Sequence, residues 1–196
     1  MIFGGVPYYW GFLKKGLSLS QNIDSILFEK DAPLRDEFKY LYASVFKKPE
    51  NYVKIIEALG TKKVGMTREE IITATKIPNS GDLTTKLEEL ESCGFIRKYN
   101  AFGMKKKNAI YQLMDCFTLF YFKFLKSEPT DEHFWTNQIN TPAVNTWLGL
   151  AFERVCMEHV DQIKFKLGIS GVLTEVNRGT ANQILIMAFS AHRLIC

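Results

Sequence analysis

Apolar side chains recur at helical spacing through the middle of this chain, then give way to two short extended stretches. Phe38, Leu41, Tyr42 and Val45 fall at i, i+3, i+4 and i+7. Tyr52, Ile55, Ile56 and Leu59 repeat that spacing after Pro49, so the pattern predicts two amphipathic helices, the second closed by Gly60. Thr67-Arg68-Glu69-Glu70 has the composition of a capping box and predicts a short helix with Ile71, Ile72 and Ala74 inside. A turn at Pro78-Asn79-Ser80-Gly81 follows. Leu83, Leu87 and Leu90 then form one stripe of a further helix, ended by Gly94. Residues 95–99 and 109–113 read as strands, joined by a loop with Gly103 and three consecutive lysines. Helices followed by a hairpin are the order of a winged helix-turn-helix domain. The expected fold class is therefore mostly α within α+β.

Both ends are patterned less strongly. Pro7 opens a helix carrying Tyr8, Trp10, Phe12 and Leu13, with Gly16 as its stop. Ser20 is the expected cap of a second helix with Ile23, Ile26 and Leu27 on one face. Past the hairpin, the run CFTLFYFKFL at 116–125 predicts a buried helix, and residues 128–132 are a polar break. A helix over 147–160 places Phe152, Val155, Cys156 and His159 on one face, and residues 172–176 and 184–187 are extended candidates. This organisation suggests three parts: 1–35, 36–115 and 116–196.

Composition narrows the class. The chain has 196 residues, 46% hydrophobic and 23% charged, ordinary for a folded protein. No apolar stretch is long enough to span a bilayer, and the N-terminal residues lack the basic start of a signal peptide. Cys93, Cys116, Cys156 and Cys196 are scattered without CxxC pairs, which favours reduced thiols and a cytoplasmic location over a disulfide or zinc scaffold. The net charge of +4 is concentrated in the middle: residues 62–107 hold 10 basic and 6 acidic side chains.

That basic excess defines the candidate chemistry. Lys105, Lys106 and Lys107 sit at the hairpin tip, with Arg97 and Lys98 at its base. A cationic tip beside a helix whose first turns carry Thr84, Thr85 and Lys86 is a pattern for gripping double-stranded DNA through phosphates and base edges. Asp82, Glu88, Glu89 and Glu91 on the same helix oppose a polyanion, and leave a protein–protein role as the equal alternative. Other chemistries lack their residues. Cys156 and His159 share a helical spacing, but no second pair completes a metal site. No GxSxG, GxxxxGK[ST] or GxGxxG motif occurs, so neither nucleophilic catalysis, ATP hydrolysis nor a bound cofactor is expected.

Several segments also resemble a known family. GGVPYYW at 4–10 and SLSQNIDSILF at 18–28 are similar to the helical lid of an AAA-type ATPase module. PLRDEF at 33–38, TREEI at 67–71, LEELESCGFIRKY at 87–99 and YQLMDCFTLFYFKFL at 111–125 resemble the winged-helix part of a large archaeal and bacterial P-loop ATPase family. LGLAFERVCMEHV at 148–160 resembles the first helix of that family's C-terminal domain, which is similar to PD-(D/E)XK nucleases. The resemblance implies a lid remnant over 1–35, a winged helix over 36–115 and a truncated nuclease-like domain over 116–196. It implies Glu153 as a vestigial acidic position, and an ATPase domain or partner subunit as binding partner. The departures imply a non-catalytic chain. The nucleotide-binding core precedes the lid in that family and is not in this sequence. Asn182-Gln183-Ile184 is followed by Leu185 where the family has its metal-binding aspartate, and no Glu-x-Lys follows. The expectation is a gene fragment cut at both ends, with a frameshift near 179–185.

Overall fold

The structure is a computed structural model describing residues 2–100, 109–171, 174–178 and 184–188, the last two segments as backbone only. It is mostly helical, with a small three-stranded antiparallel sheet, and belongs to the α+β class. Its contacts divide the chain into two compact units, one over residues 2–139 and one from Asn140 onward.

The first unit begins with α1 (Pro7–Trp10) and α2 (Leu19–Ile23), which runs on as a π-helical turn over Asp24–Phe28. Then come α3 (Glu37–Val45), α4 (Glu50–Gly60), β1 (Met66–Thr67), α5 (Arg68–Thr75), α6 (Gly81–Ser92), β2 (Ile96–Asn100) and β3 (Ala109–Leu113). α7 (Cys116–Phe120) continues as a second π-helical turn over Tyr121–Leu125, and α8 (Phe134–Gln138) closes the unit.

The helical stripes produce the core as patterned. Tyr52, Ile55, Ile56 and Leu59 of α4 are buried, as are Leu83, Leu87 and Leu90 of α6. The capping box forms: the Thr67 hydroxyl accepts from the Glu70 amide, and the Glu70 carboxylate accepts from the Thr67 amide. Gly94 takes φ +77° past α6, which lets the Phe95 amide reach back to the Leu90 carbonyl. The hairpin pairs Ile96 with Leu113 through Asn100 with Ala109. β1 adds to the other side of β3, giving the order β1-β3-β2.

The N-terminal segment and the aromatic run pack into this same unit. Phe28 contacts Phe120 and stacks on Phe134, Phe38 stacks on Tyr121 at 4.0 Å, and Tyr9 meets Phe117. Inside this layer the Tyr42 hydroxyl pairs with that of Thr118 at 2.8 Å. The boundaries read at 35/36 and 115/116 lie within the unit.

Several local expectations are corrected. α1 ends at Trp10 rather than running to Gly16: a four-residue helix followed by Gly11 has neither the propensity nor the length to propagate. Ser18, not Ser20, caps α2, because only Ser18 has a glutamine three residues on to complete a box. Val45 and Ala74 face solvent.

The second unit contains α9 (Pro142–Glu158), α10 (Val160–Lys166), β4 (Thr174–Arg178) and β5 (Ile184–Ala188). α9 begins earlier than periodicity suggests, because the Thr141 hydroxyl caps it and Pro142 takes the first helical position. Its buried residues are Val144, Trp147, Ala151, Glu153 and Arg154, while Phe152 is exposed. The face expected to be inside is therefore the wrong one. The extended candidates become β4 and β5, which pair antiparallel with each other.

Candidate functional site

The predicted site residues fall on α6 and the hairpin. α6 starts at Gly81 after the extended Ser80, and its leucine stripe fixes which face meets water. Thr84 and Thr85 are on that outer face. Their hydroxyls turn back on the helix, Thr84 to the Ser80 carbonyl and Thr85 to the Gly81 carbonyl at 3.2 Å. Lys86 does not project outward: its ammonium pairs with Asp82 and lies 5.3 Å from the Tyr52 ring centroid, leaving the side chain 13% exposed. Glu88, Glu89 and Glu91 are exposed. Glu89 accepts from the Tyr52 hydroxyl, and Glu91 accepts from the Lys98 amide at 3.1 Å. Burial of the Tyr52 ring and its bond to Glu89 push the phenol up to about 12, so it stays a donor across the physiological range.

At the hairpin base, Arg97 is committed inward. Its Nε donates to Gln112 Oε1 at 2.9 Å, and its guanidinium lies 5.0 Å from the Tyr99 ring centroid. Gln112 in turn donates to the Lys63 carbonyl at 2.5 Å, and the Tyr99 hydroxyl donates to the Val64 carbonyl at 2.6 Å. These bonds tie the loop before β1 to the hairpin. Lys98 is exposed, with its ammonium 5.8 Å from the Tyr111 ring centroid. Lys105, Lys106 and Lys107 lie outside the described residues.

Glu153 is buried within α9 rather than set in an open cleft. His159 Nδ1 is 2.7 Å from the Val155 carbonyl, and among the described residues no cluster of histidine, cysteine and carboxylate could hold a metal ion. No helix among the described residues is long and apolar enough to cross a membrane.

Sequence reasoning missed one feature beside α6: a groove formed by Phe46, Lys47 and Lys48 with Tyr52. The adjacent lysines after the first helical stripe were its only signal. The chain matches no protein-family model, no curated protein and no solved structure.

Proposed function

We propose that residues 50–113 form a winged helix within a non-catalytic module, similar to the C-terminal part of AAA-type P-loop ATPases, and that it docks on protein rather than on duplex DNA. The order α4-β1-α5-α6-β2-β3, with β3 central in the sheet, supports the winged-helix reading. One observation carries the choice of partner. The outer face of α6 presents Asp82, Glu88, Glu89 and Glu91, while its one lysine is folded onto Tyr52 and neutralised by Asp82. A duplex laid along that face would bring phosphates within a screening length of about 10 Å of Glu88, Glu89 and Glu91, three carboxylates with no cation paired to them on the helix, Asp82 being balanced by Lys86. Repulsion of that kind selects against nucleic acid and for a basic protein surface. The resemblance makes an ATPase core the first candidate for that surface.

Two measurements test the reading. Gel shift on duplex DNA at about 50 and 200 mM salt should show no retention by the full chain. Salt-sensitive retention, weakened when Lys105, Lys106 and Lys107 are changed to alanine, would establish DNA binding through the wing instead. In parallel, sedimentation with a P-loop ATPase domain of the resembled family should show a complex that Glu88→Lys weakens. No complex, or one indifferent to that reversal, counts against α6 as the docking face.

A further inference from the structure

An open groove of about 460 Å³ runs between the end of α3 and the start of α4, bordered on its far side by α6. Phe46 and Tyr52 form its floor, their rings stacked at 3.9 Å with planes 8° apart. That floor is held from two sides. The Tyr52 hydroxyl donates to Glu89, and the Lys86 ammonium lies against the Tyr52 ring while pairing with Asp82. Of the α6 charges here, Lys86 is balanced by Asp82, while Glu89 accepts from a neutral phenol and keeps its negative charge.

The groove's other residues have no such commitments. Val45, the last residue of α3, is 47% exposed at its edge. Lys47 and Lys48 are both exposed, and neither forms an ion pair with a described residue. Glu50, the carboxylate nearest in sequence, does not line the groove, and Glu89 is the single carboxylate against the three lysines that do. The surface thus joins a rigid aromatic floor and an exposed apolar side chain to two available cations. A preorganised floor lowers the ordering cost of binding.

We propose that this groove docks a short extended segment of a partner protein in which an apolar side chain is flanked by carboxylates. The apolar side chain covers Val45 and the stacked rings, and the carboxylates pair with Lys47 and Lys48. A peptide can place two negative charges there and then leave the surface. A nucleic acid must continue its phosphates past the groove, and α6 carries four carboxylates along the adjoining helix. The proposal shares with the reading above only the exclusion of nucleic acid by the α6 carboxylates; Glu88 does not line the groove, so the Glu88→Lys sedimentation and the peptide titration read different surfaces and either can fail alone.

The test is an amide chemical-shift titration of the full chain. The probes are a capped peptide of alternating leucine and paired glutamates, its lysine-for-glutamate counterpart, and a short oligothymidylate. The acidic peptide should move the amides of residues 45–48, 52 and 86–89, and the basic counterpart should leave them in place. The double variant Lys47→Glu/Lys48→Glu should weaken the acidic peptide about tenfold without changing the thermal midpoint, since both side chains are exposed. Val45→Ser should weaken it through the apolar contact, and serves as the test should the charge reversal disturb folding. An absent response, equal responses to both peptides, or a stronger response of the same amides to oligothymidylate would each overturn the proposal.

Discussion

Asp115 links the hairpin to α7 through one carboxylate, which accepts from the Thr118 amide at 2.7 Å. Burial pushes its pKa above the usual carboxylate range, and the bonds from Thr118, which act the other way, do not cancel that effect. A raised value in the folded state means the native protein holds this proton more tightly than the unfolded chain. The stability from that group is fully present below the unfolded pKa of about 3.9, and is lost as pH rises through the raised value. Asp115→Asn keeps a capping oxygen but cannot ionise. Its urea midpoint should decline less than the parent's between acid and neutral pH, and superimposable pH profiles would refute this assignment. Two glycines test backbone packing. Gly65 has φ +89°, and a Cβ there would stand 2.4 Å from the Tyr111 carbonyl oxygen, a backbone atom of the central strand. Gly65→Ala should cost on the order of 1–3 kcal/mol. At Gly60 the atoms nearest the added Cβ belong to the Phe122 side chain rather than to backbone, so Gly60→Ala should cost less than Gly65→Ala. Urea melts of the pair check the order.

Thr67 serves two elements at once. Its hydroxyl caps α5, and its backbone pairs with Ile110 as half of β1. Thr67→Ala should cost about 1 kcal/mol and Thr67→Ser far less. Hydrogen exchange should rise in the alanine variant at the start of α5 and in β1, but not in α6; protection lost evenly across the unit would contradict a local cap. This box was legible in sequence because both partners lie within four residues. The stripes of α4 and α6 were legible because three turns give periodicity room to show, and the hairpin because its two runs flank a long polar loop. β1 was not: two residues have no period, and only pairing with β3 makes Met66 and Thr67 a strand. α8 was missed because its five residues depend on a distant acceptor. The buried face of α9 was misjudged because Glu153 and Arg154 are inside and Phe152 is outside, the reverse of what hydropathy favours. At the candidate site, the acidic character of α6 was readable residue by residue, but the folding of Lys86 onto Tyr52 joins helices far apart in sequence and is set only by their packing.

The unit over residues 2–139 owes its integrity to contacts between its two ends, which motif order could not reveal. The buried Asp24 carboxylate accepts from the Trp135 amide at 2.7 Å, the Thr136 amide at 3.1 Å and the Thr136 hydroxyl at 2.5 Å, taking up the free N–H groups that open α8. Arg35 donates to the Phe28 carbonyl at 2.7 Å and to the Pro129 carbonyl at 3.2 Å, joining the same two stretches. The stack of Phe28 on Phe134 lies in the same layer. If residues 1–35 were an appendage, losing Asp24 would release that segment and spare the helices and hairpin. A shared core requires the opposite. Asp24→Ala should lower the stability of the whole unit by about 1–3 kcal/mol, the cost of leaving buried donors unmet. The loss should be cooperative: Trp135 fluorescence, read in a background with Trp10 and Trp147 changed to phenylalanine, and hydrogen-exchange protection of the hairpin should fall to a common lower urea midpoint. Separated midpoints, with the fluorescence change preceding the loss of hairpin protection, would mean that the N-terminal segment is a detachable piece. The same logic predicts that any partner gripping α1 or α2 would stabilise the hairpin, because free energy stored anywhere in a single cooperative core is shared by all of it.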